Sequence, residues 1–293
     1  MSDTSPDVLA LRDTLLYELT KALALPDRSP VRGIIRGIFG KATEKFSELA
    51  IGLDRAVGIS GVSGGANWVL PRFVKSHIAR GIENIPAEGP LVIAANHPGS
   101  YDSLVISAHV TRPNYKVIIG DIPFFQNLPN ISRNAIFAPA PENVQGRMGA
   151  VRECIRHLQG GGALLIFARG GIEADPSFMP ASDGEFNLWS RSLEIFLRCV
   201  PHTRVLVTIV SGVIAKAAFR HPITLFRKAR PDRQRLAFMY QMIRQMLSGV
   251  ETFGLIPRVT FGEVITGECP ERVLEQVTET ARQTLEQHLA WKQ

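Results

Sequence analysis

Five short stretches, LVIAA (91–95), KVIIG (116–120), ALLIF (163–167), RVLVTIV (204–210) and RVTFG (258–262), are apolar almost without alternation. A strand that faces water on one side alternates polar and apolar residues. A strand covered on both sides does not, so these runs predict buried strands of a mostly parallel sheet. Amphipathic segments lie between them. Over residues 147–159, Met148, Val151, Ile155 and Leu158 share one face, and Gly160-Gly161-Gly162 follows as a stop. Further helices are predicted over 186–199, 234–249 and 271–289. Strand alternating with helix gives an α/β fold, a mostly parallel central sheet flanked by helices.

Residues 5–80 have a different texture. Leu9, Leu15, Leu16 and Leu19, then Ile34, Ile35, Ile38, Phe46, Leu49 and Ile51, recur near helical spacing and predict a helical N-terminal extension. The expected organisation is a helical region over 1–80, with membrane contact as one of its readings, and an α/β domain over 81–293. With 293 residues, 45% hydrophobic and 20% charged, the chain has enough apolar material for such a core, which excludes a disordered or collagen-like chain.

Cys154, Cys199 and Cys269 lie far apart and are odd in number, which supports neither a disulfide framework nor a cysteine metal site. They read as reduced, buried thiols, and no metal or resident cofactor is expected. The N-terminus carries acidic residues where a secretory leader carries basic ones. The most apolar window, 205–219, is short and interrupted by Thr208, Ser211 and Lys216. The expectation is a cytoplasmic protein without signal peptide or transmembrane helix that lies on a membrane.

The segment LVIAANHPGSYD places His97 and Asp102 just beyond a buried strand, in an H-x4-D pattern. In open α/β sheets ligands gather beyond the carboxyl ends of strands, where Arg169, Asp121 and Ser211 also fall, so these four positions are candidates for one crevice. A turn through Pro98 and Gly99 lets Asp102 accept a hydrogen bond from one imidazole nitrogen, leaving the other free as a base. Such a base suits taking the proton of a hydroxyl as it attacks a thioester. The competing reading is a surface histidine beside a helix-capping aspartate.

On these residues the chain resembles the glycerolipid acyltransferases, which include the glycerol-3-phosphate and 1-acylglycerol-3-phosphate enzymes. ARGIENIPAEGPLVIAANHPGSYD is similar to the family's first block, and the resemblance implies His97 as general base and Asp102 as its partner. RNAIFAPAPENVQGRMGAVRECIRHLQGGGALLIFARGGIEAD is similar in layout to the second and third blocks, and RVLVTIVSG to the fourth. Two departures stand out. Phe167-Ala168-Arg169-Gly170 replaces FPEG, with Gly170-Gly171-Ile172-Glu173 closer to the plant-type form, and Ala140 and Pro141 stand where the second block has an arginine. The resemblance implies acyl transfer from acyl-CoA or acyl carrier protein to a glycerol phosphate or lysophospholipid hydroxyl. Arg169 at a strand end suits pairing with a phosphate or carboxylate, with Arg147 or Arg133 as replacement charges, each reading equally as a solvated surface arginine, and the glycines make N–H groups near Gly170 and Gly171 candidate oxyanion donors.

The excess of 33 Lys and Arg over 27 Asp and Glu, net +6, favours acidic partners. Arg220, Arg227, Lys228, Arg230, Arg233 and Arg235 stand against Asp232 alone over 219–235, interleaved with Phe219, Leu225 and Phe226. Such a run suits either anionic headgroups or plain solvation, and without an RNA-binding aromatic signature or zinc-finger spacing it does not point to nucleic acid. Arg32, Arg36, Lys41 and Lys45 beside Ile35, Ile38 and Phe46 give either an interfacial helix or one packed on its own domain. Met239, Met242 and Met246 read as core or as an acyl-chain tunnel.

Two other functions compete. Gly61-Val62-Ser63-Gly64-Gly65 fits the GxSxG nucleophile elbow of serine hydrolases, although AVGIS before it is weakly strand-like and Pro71 follows closely. The altered second and third blocks also fit a catalytically silent lipid-binding homologue of the acyltransferases.

Overall fold

The computed structural model describes residues 6–22, 29–180, 183–266 and 272–291. The strands are β1 (Ile78–Arg80), β2 (Leu91–Ala95), β3 (Tyr115–Gly120), β4 (Ala135–Ala138), β5 (Ala163–Phe167), β6 (Arg204–Ser211) and β7 (Arg258–Thr266). The helices are α1 (Pro6–Ala22), α2 (Ser29–Val69), α3 (Asp102–Ser107), α4 (Pro123–Gln126), α5 (Pro129–Arg133), α6 (Val144–Gln159), α7 (Ser192–Cys199), α8 (Lys216–Phe219), α9 (Arg230–Ser248) and α10 (Val273–Leu289).

The seven strands form one sheet in the order β1-β7-β6-β2-β5-β3-β4. Every neighbouring pair is parallel except β6 with β7. Central β2 is buried along its whole length. Its alternate residues serve opposite layers: Leu91, Ile93 and Ala95 pack with Val69, Val105, Ile106, Ala237 and Met246 of α2, α3 and α9. Val92 and Ala94 pack with Cys154, Leu158, Phe196, Val277 and Ala281 of α6, α7 and α10. Cover on both faces is the reason β2 reads as an unbroken apolar run. The expected mostly parallel α/β fold with a helical N-terminal region is observed.

Several local expectations are corrected. The helical reading of 5–80 ends at Val69. Residues 78–80 are instead the edge strand β1, paired in parallel with β7, so the sheet begins before residue 81. The stretch 186–199 is not one helix: a 3-10 turn over Asp183–Leu188 precedes α7, and Ser190 between them donates its N–H to Ala168 O. Cys154 is buried as expected, but Cys199 is exposed at the end of α7, and Cys269 lies outside the described residues.

The N-terminal helices cover the methionine face of α9. Met239, Met242 and Met246 meet Leu15, Leu19, Phe39 and Phe46 across a space of about 20 Å³, room for roughly one water. The methionines therefore form a helix–helix seam rather than an acyl tunnel. Ile35 is buried and Phe46 packs on the core, so this face of α2 is largely used internally, although Ile34 and Ile38 stay exposed. Asp54 of α2 caps α5 by accepting N–H bonds from Asn130 and Ile131, both at 2.8 Å. No helix among the described residues is long and apolar enough to cross a membrane.

Candidate active site

Because β2, β3, β5 and β6 run in parallel, their carboxyl ends share one edge of the sheet. The chain leaves β2 at Asn96, whose side chain donates to Val210 O at 2.9 Å and accepts from Val210 N–H at 2.8 Å. That exchange fixes the start of the His97 loop against the last turn of β6. Gly99 lies close to Val213 and Ile214, so a side chain there would press on the loop after β6. The turn brings Asp102, the first residue of α3, back to the histidine.

His97 Nδ1 donates to Asp102 Oδ2 at 2.8 Å. Asp102 is fully buried, and its two oxygens also accept N–H bonds from Gly99 at 3.0 Å and Ser103 at 2.7 Å. Both of its oxygens therefore have hydrogen-bond partners without water. The imidazole stacks on Phe167 with centroids 4.2 Å apart, which fixes its plane. Its Nε2 makes no hydrogen bond among the described residues, and the side chain is a quarter exposed. Burial opposes a charge on the ring, but the charge and hydrogen bond of Asp102, with help from Glu173, outweigh it and hold the pKa above the ordinary value.

A second carboxylate lies under the loop. Glu173 is buried; its Oε2 accepts the N–H of His97 at 2.9 Å and its Oε1 accepts Trp189 Nε1–H at 2.9 Å. Its own N–H returns to His97 O at 2.8 Å, so the loops after β2 and β5 are stitched together. Burial is the main cause pushing the Glu173 carboxyl up to about 7, against those donors.

Helix α9 holds the same assembly from the side. Gln234, Gln241 and Gln245 are all fully buried. Gln234 donates to Pro98 O at 3.1 Å and Glu173 O at 2.7 Å. Gln241 accepts from Ala215 N–H at 2.8 Å and donates to Val213 O, while Gln245 accepts from Tyr101 Oη–H at 2.7 Å and donates to Phe73 O. Asp175, also buried, gathers the N–H groups of Gly212 and Val213 behind the loop after β6.

Of the four strand-end positions, His97 and Arg169 lie on loops joined by Glu173. Asp121 is exposed and accepts from Gln126 of its own loop. Ser211 points away, its hydroxyl bonded to His288 Nε2 at 2.7 Å. Arg169 donates to Ile172 O at 3.0 Å and lies 3.2 Å from Glu185, which also pairs with Arg230. One carboxylate between two guanidiniums leaves a surplus positive charge beside the loop. Gly170 donates its N–H to Phe167 O at 2.9 Å, so that donor is already used, whereas the Gly171 N–H has no partner among the described residues. Arg133 ends α5 just before β4, at the opposite end of the sheet from His97. Arg147 is exposed in the first turn of α6, which follows β4, three strands from β2 in the sheet order. Neither arginine makes a hydrogen bond or ion pair with the His97 loop among the described residues.

Ser63 of the GxSxG match lies inside α2, with no strand before it. Gly61 there has φ +69° and kinks the helix, and Ser63 Oγ donates to Ala108 O at 2.9 Å. The strand–turn–helix elbow that exposes a nucleophile is not formed.

The missed site residues are Gln234, Trp189 and Asp175. The only sequence signal was the spacing of Gln234, Gln241 and Gln245, seven and four apart, which places three glutamines on one helix face.

Comparison with known proteins gives a family match over this part of the chain. Residues 77–211, which include the His97 and Glu173 loops, match the family model described as Acyltransferase. No curated protein matches the chain. Among solved structures, a similar chain is the crystal structure of the 1-acyl-sn-glycerophosphate (LPA) acyltransferase PlsC from Thermotoga maritima. It is 14% identical, with 97% of this chain and 98% of that chain covered and a TM-score of 0.43. The resemblance read from the NH-x4-D block is borne out by the acyltransferase family model, whose match covers residues 77–211.

Proposed function

We propose that this protein is an O-acyltransferase that moves a fatty acyl group from an acyl thioester to a hydroxyl of a glycerol phosphate or lysophospholipid. The observation that carries the reading is the 2.8 Å bond between His97 Nδ1 and a fully buried, multiply bonded Asp102, which leaves Nε2 free at the sheet's ligand-binding edge.

The chemistry follows from that tautomer. Nε2 takes the acceptor's hydroxyl proton as its oxygen attacks the thioester carbonyl, and Asp102 stabilises the imidazolium. As the tetrahedral intermediate collapses, the C–S bond breaks and the imidazolium returns the proton to the departing sulfur. The Gly171 N–H is the available donor for the developing oxyanion, in place of the Gly170–Gly171 pair that the sequence suggested. Arg169 and Arg230, sharing Glu185, supply the charge that favours an anionic acceptor.

The test is thiol release from long-chain acyl-CoA or acyl carrier protein, with and without glycerol-3-phosphate, lysophosphatidate and other lysolipids. Release should depend on the acceptor and fall by about 10²- to 10⁴-fold in a folded His97→Ala variant. Unchanged turnover in that variant removes the mechanism, and no release with any pair favours the silent lipid-binding homologue.

A further inference from the structure

The turn Pro222–Phe226, between α8 and α9, is anchored on one side and bare on the other. Thr224 is fully buried, and its hydroxyl is 2.9 Å from both Phe219 O and His221 O. The His221 ring stacks on Tyr240 with centroids 4.0 Å apart, and His221 Nδ1 accepts the N–H of Ile223. Yet Leu225 is 68% and Phe226 84% exposed, and Ile223 is exposed beside them. A turn this well tied holds its apolar tip in water instead of folding it away, which is a mark of a contact surface.

Cations surround the tip. Arg220, Arg227 and Lys228 are exposed, and none makes an ion pair among the described residues. Behind them a cleft of about 450 Å³ is lined by Lys216, Arg220, Lys228, Arg230 and Arg233 against Phe178 and Phe219. Arg233 lies over the Phe219 ring at 4.7 Å, with a buried Nε that has no partner. The nearby carboxylates are already engaged, Asp232 with Arg235 and Glu185 with Arg169 and Arg230. Apolar side chains projecting past a ring of uncompensated cations match a surface that is anionic outside and hydrocarbon beneath. Polynucleotide offers the charge without an apolar layer for Leu225 and Phe226.

We propose that this turn is the docking element that seats the protein on an anionic lipid bilayer. Leu225 and Phe226 enter the headgroup boundary, and Arg220, Arg227 and Lys228 take lipid phosphates. The first turn of α9 follows directly, and its Gln234 holds the His97 and Glu173 loops, so docking here brings the catalytic edge to the membrane. The inference rests on the proposed lipid acceptor for its purpose but not for its measurement.

The experiment is co-sedimentation with phosphatidylcholine vesicles, with and without phosphatidylglycerol, beside thiol release on a monodisperse short-chain substrate pair. Wild type should bind the phosphatidylglycerol vesicles and be released by about 1 M salt. Arg227→Ala/Lys228→Ala should bind about 25-fold more weakly, at about fivefold per charge. Leu225→Ser/Phe226→Ser should lose binding by at least about tenfold. All of these variants should keep wild-type circular dichroism and short-chain turnover, since they lie outside the site. Wild-type affinity in Leu225→Ser/Phe226→Ser, or loss only in Ile34→Ser/Ile38→Ser, overturns the proposal, as does a wild type that ignores anionic vesicles while turning over the soluble pair. Turn-dependent binding with no acyl transfer keeps the docking element and removes the proposed function instead.

Discussion

His97 and His288 serve neighbouring strands of one sheet and each is held by a short hydrogen bond, yet their surroundings give them opposite chemistry. His288 is fully buried between two hydroxyls, with Nε2 2.7 Å from Ser211 Oγ and Nδ1 2.8 Å from Thr260 Oγ1. Burial, with Arg258 nearby, pushes its pKa down to about 4, so it stays neutral and joins β6, β7 and α10 as a polar rivet. His97 also loses water, but its partner is a carboxylate and its pKa lies above the ordinary value. Two hydroxyls can orient an imidazole, but only a charge can prepare it to receive a proton.

Making the first region resemble the second should produce the largest effect. In Asp102→Asn the ring keeps a polar neighbour and loses its charge, so turnover should fall on the order of 10²-fold. In the proposed mechanism the working base is the unprotonated ring, so the rate should fall as pH drops through the His97 pKa. That pKa is above 6.5 in the wild type, and without Asp102 the acid limb should move to lower pH. A pH profile of kcat/KM checks it, with circular dichroism as the folding control. A limb that stays in place would assign the perturbation to something other than the dyad.

The same contrast predicts opposite pH dependence of stability. For His288 the folded pKa of about 4 lies below the unfolded value near 6.5, so only the unfolded chain gains protons between them and stability falls as pH falls. Glu173 is raised to about 7 from 4.5, so the folded protein gains protons first and stability rises as pH falls through that window. From pH 7 to pH 5 each contributes about 2 kcal/mol, with opposite sign. Relative to wild type, His288→Asn should therefore gain stability on acidification and Glu173→Gln should lose it, whatever each replacement costs at pH 7. Urea unfolding at the two pH values measures both slopes, and parallel slopes in the three proteins would refute the assigned environments.

Legibility in the sequence followed burial. The five apolar runs announced their strands, most plainly β2 and β6, which are buried along nearly their whole length. β1 and β4 did not, since β1 is a three-residue edge strand with an exposed–intermediate–exposed pattern and the apolar run of β4, AIFA, is only four residues long. The reversal of β7 against β6 was invisible as well, because strand direction depends on the route of the chain between them. In the site, His97 and Asp102 were legible because their pairing is local. Gln234 was not: on a helix read by its apolar residues, three buried glutamines look like the solvent side until the loops they hold are in place. Arg133 and Arg147 show the complementary difficulty, since a charge near a block in sequence is placed by topology, which put Arg133 at the start of β4 and Arg147 in the first turn of α6.

The smallest effect is expected at Ser63, where a sequence pattern and a physical site part company. A nucleophile needs a base within reach and a backbone that exposes its oxygen. Ser63 has neither among the described residues, since it lies in the helix just after the Gly61 kink and its hydroxyl donates to Ala108 O. Asn67 also donates to that carbonyl at 3.0 Å, so removing the hydroxyl leaves no acceptor unsatisfied. Ser63→Ala should accordingly cost less than about 1 kcal/mol and leave acyl transfer unchanged. Thermal unfolding and the thiol-release assay check both parts. A large loss of turnover without a loss of stability would place chemistry on α2 and reopen the hydrolase reading, whereas the expected silence removes it.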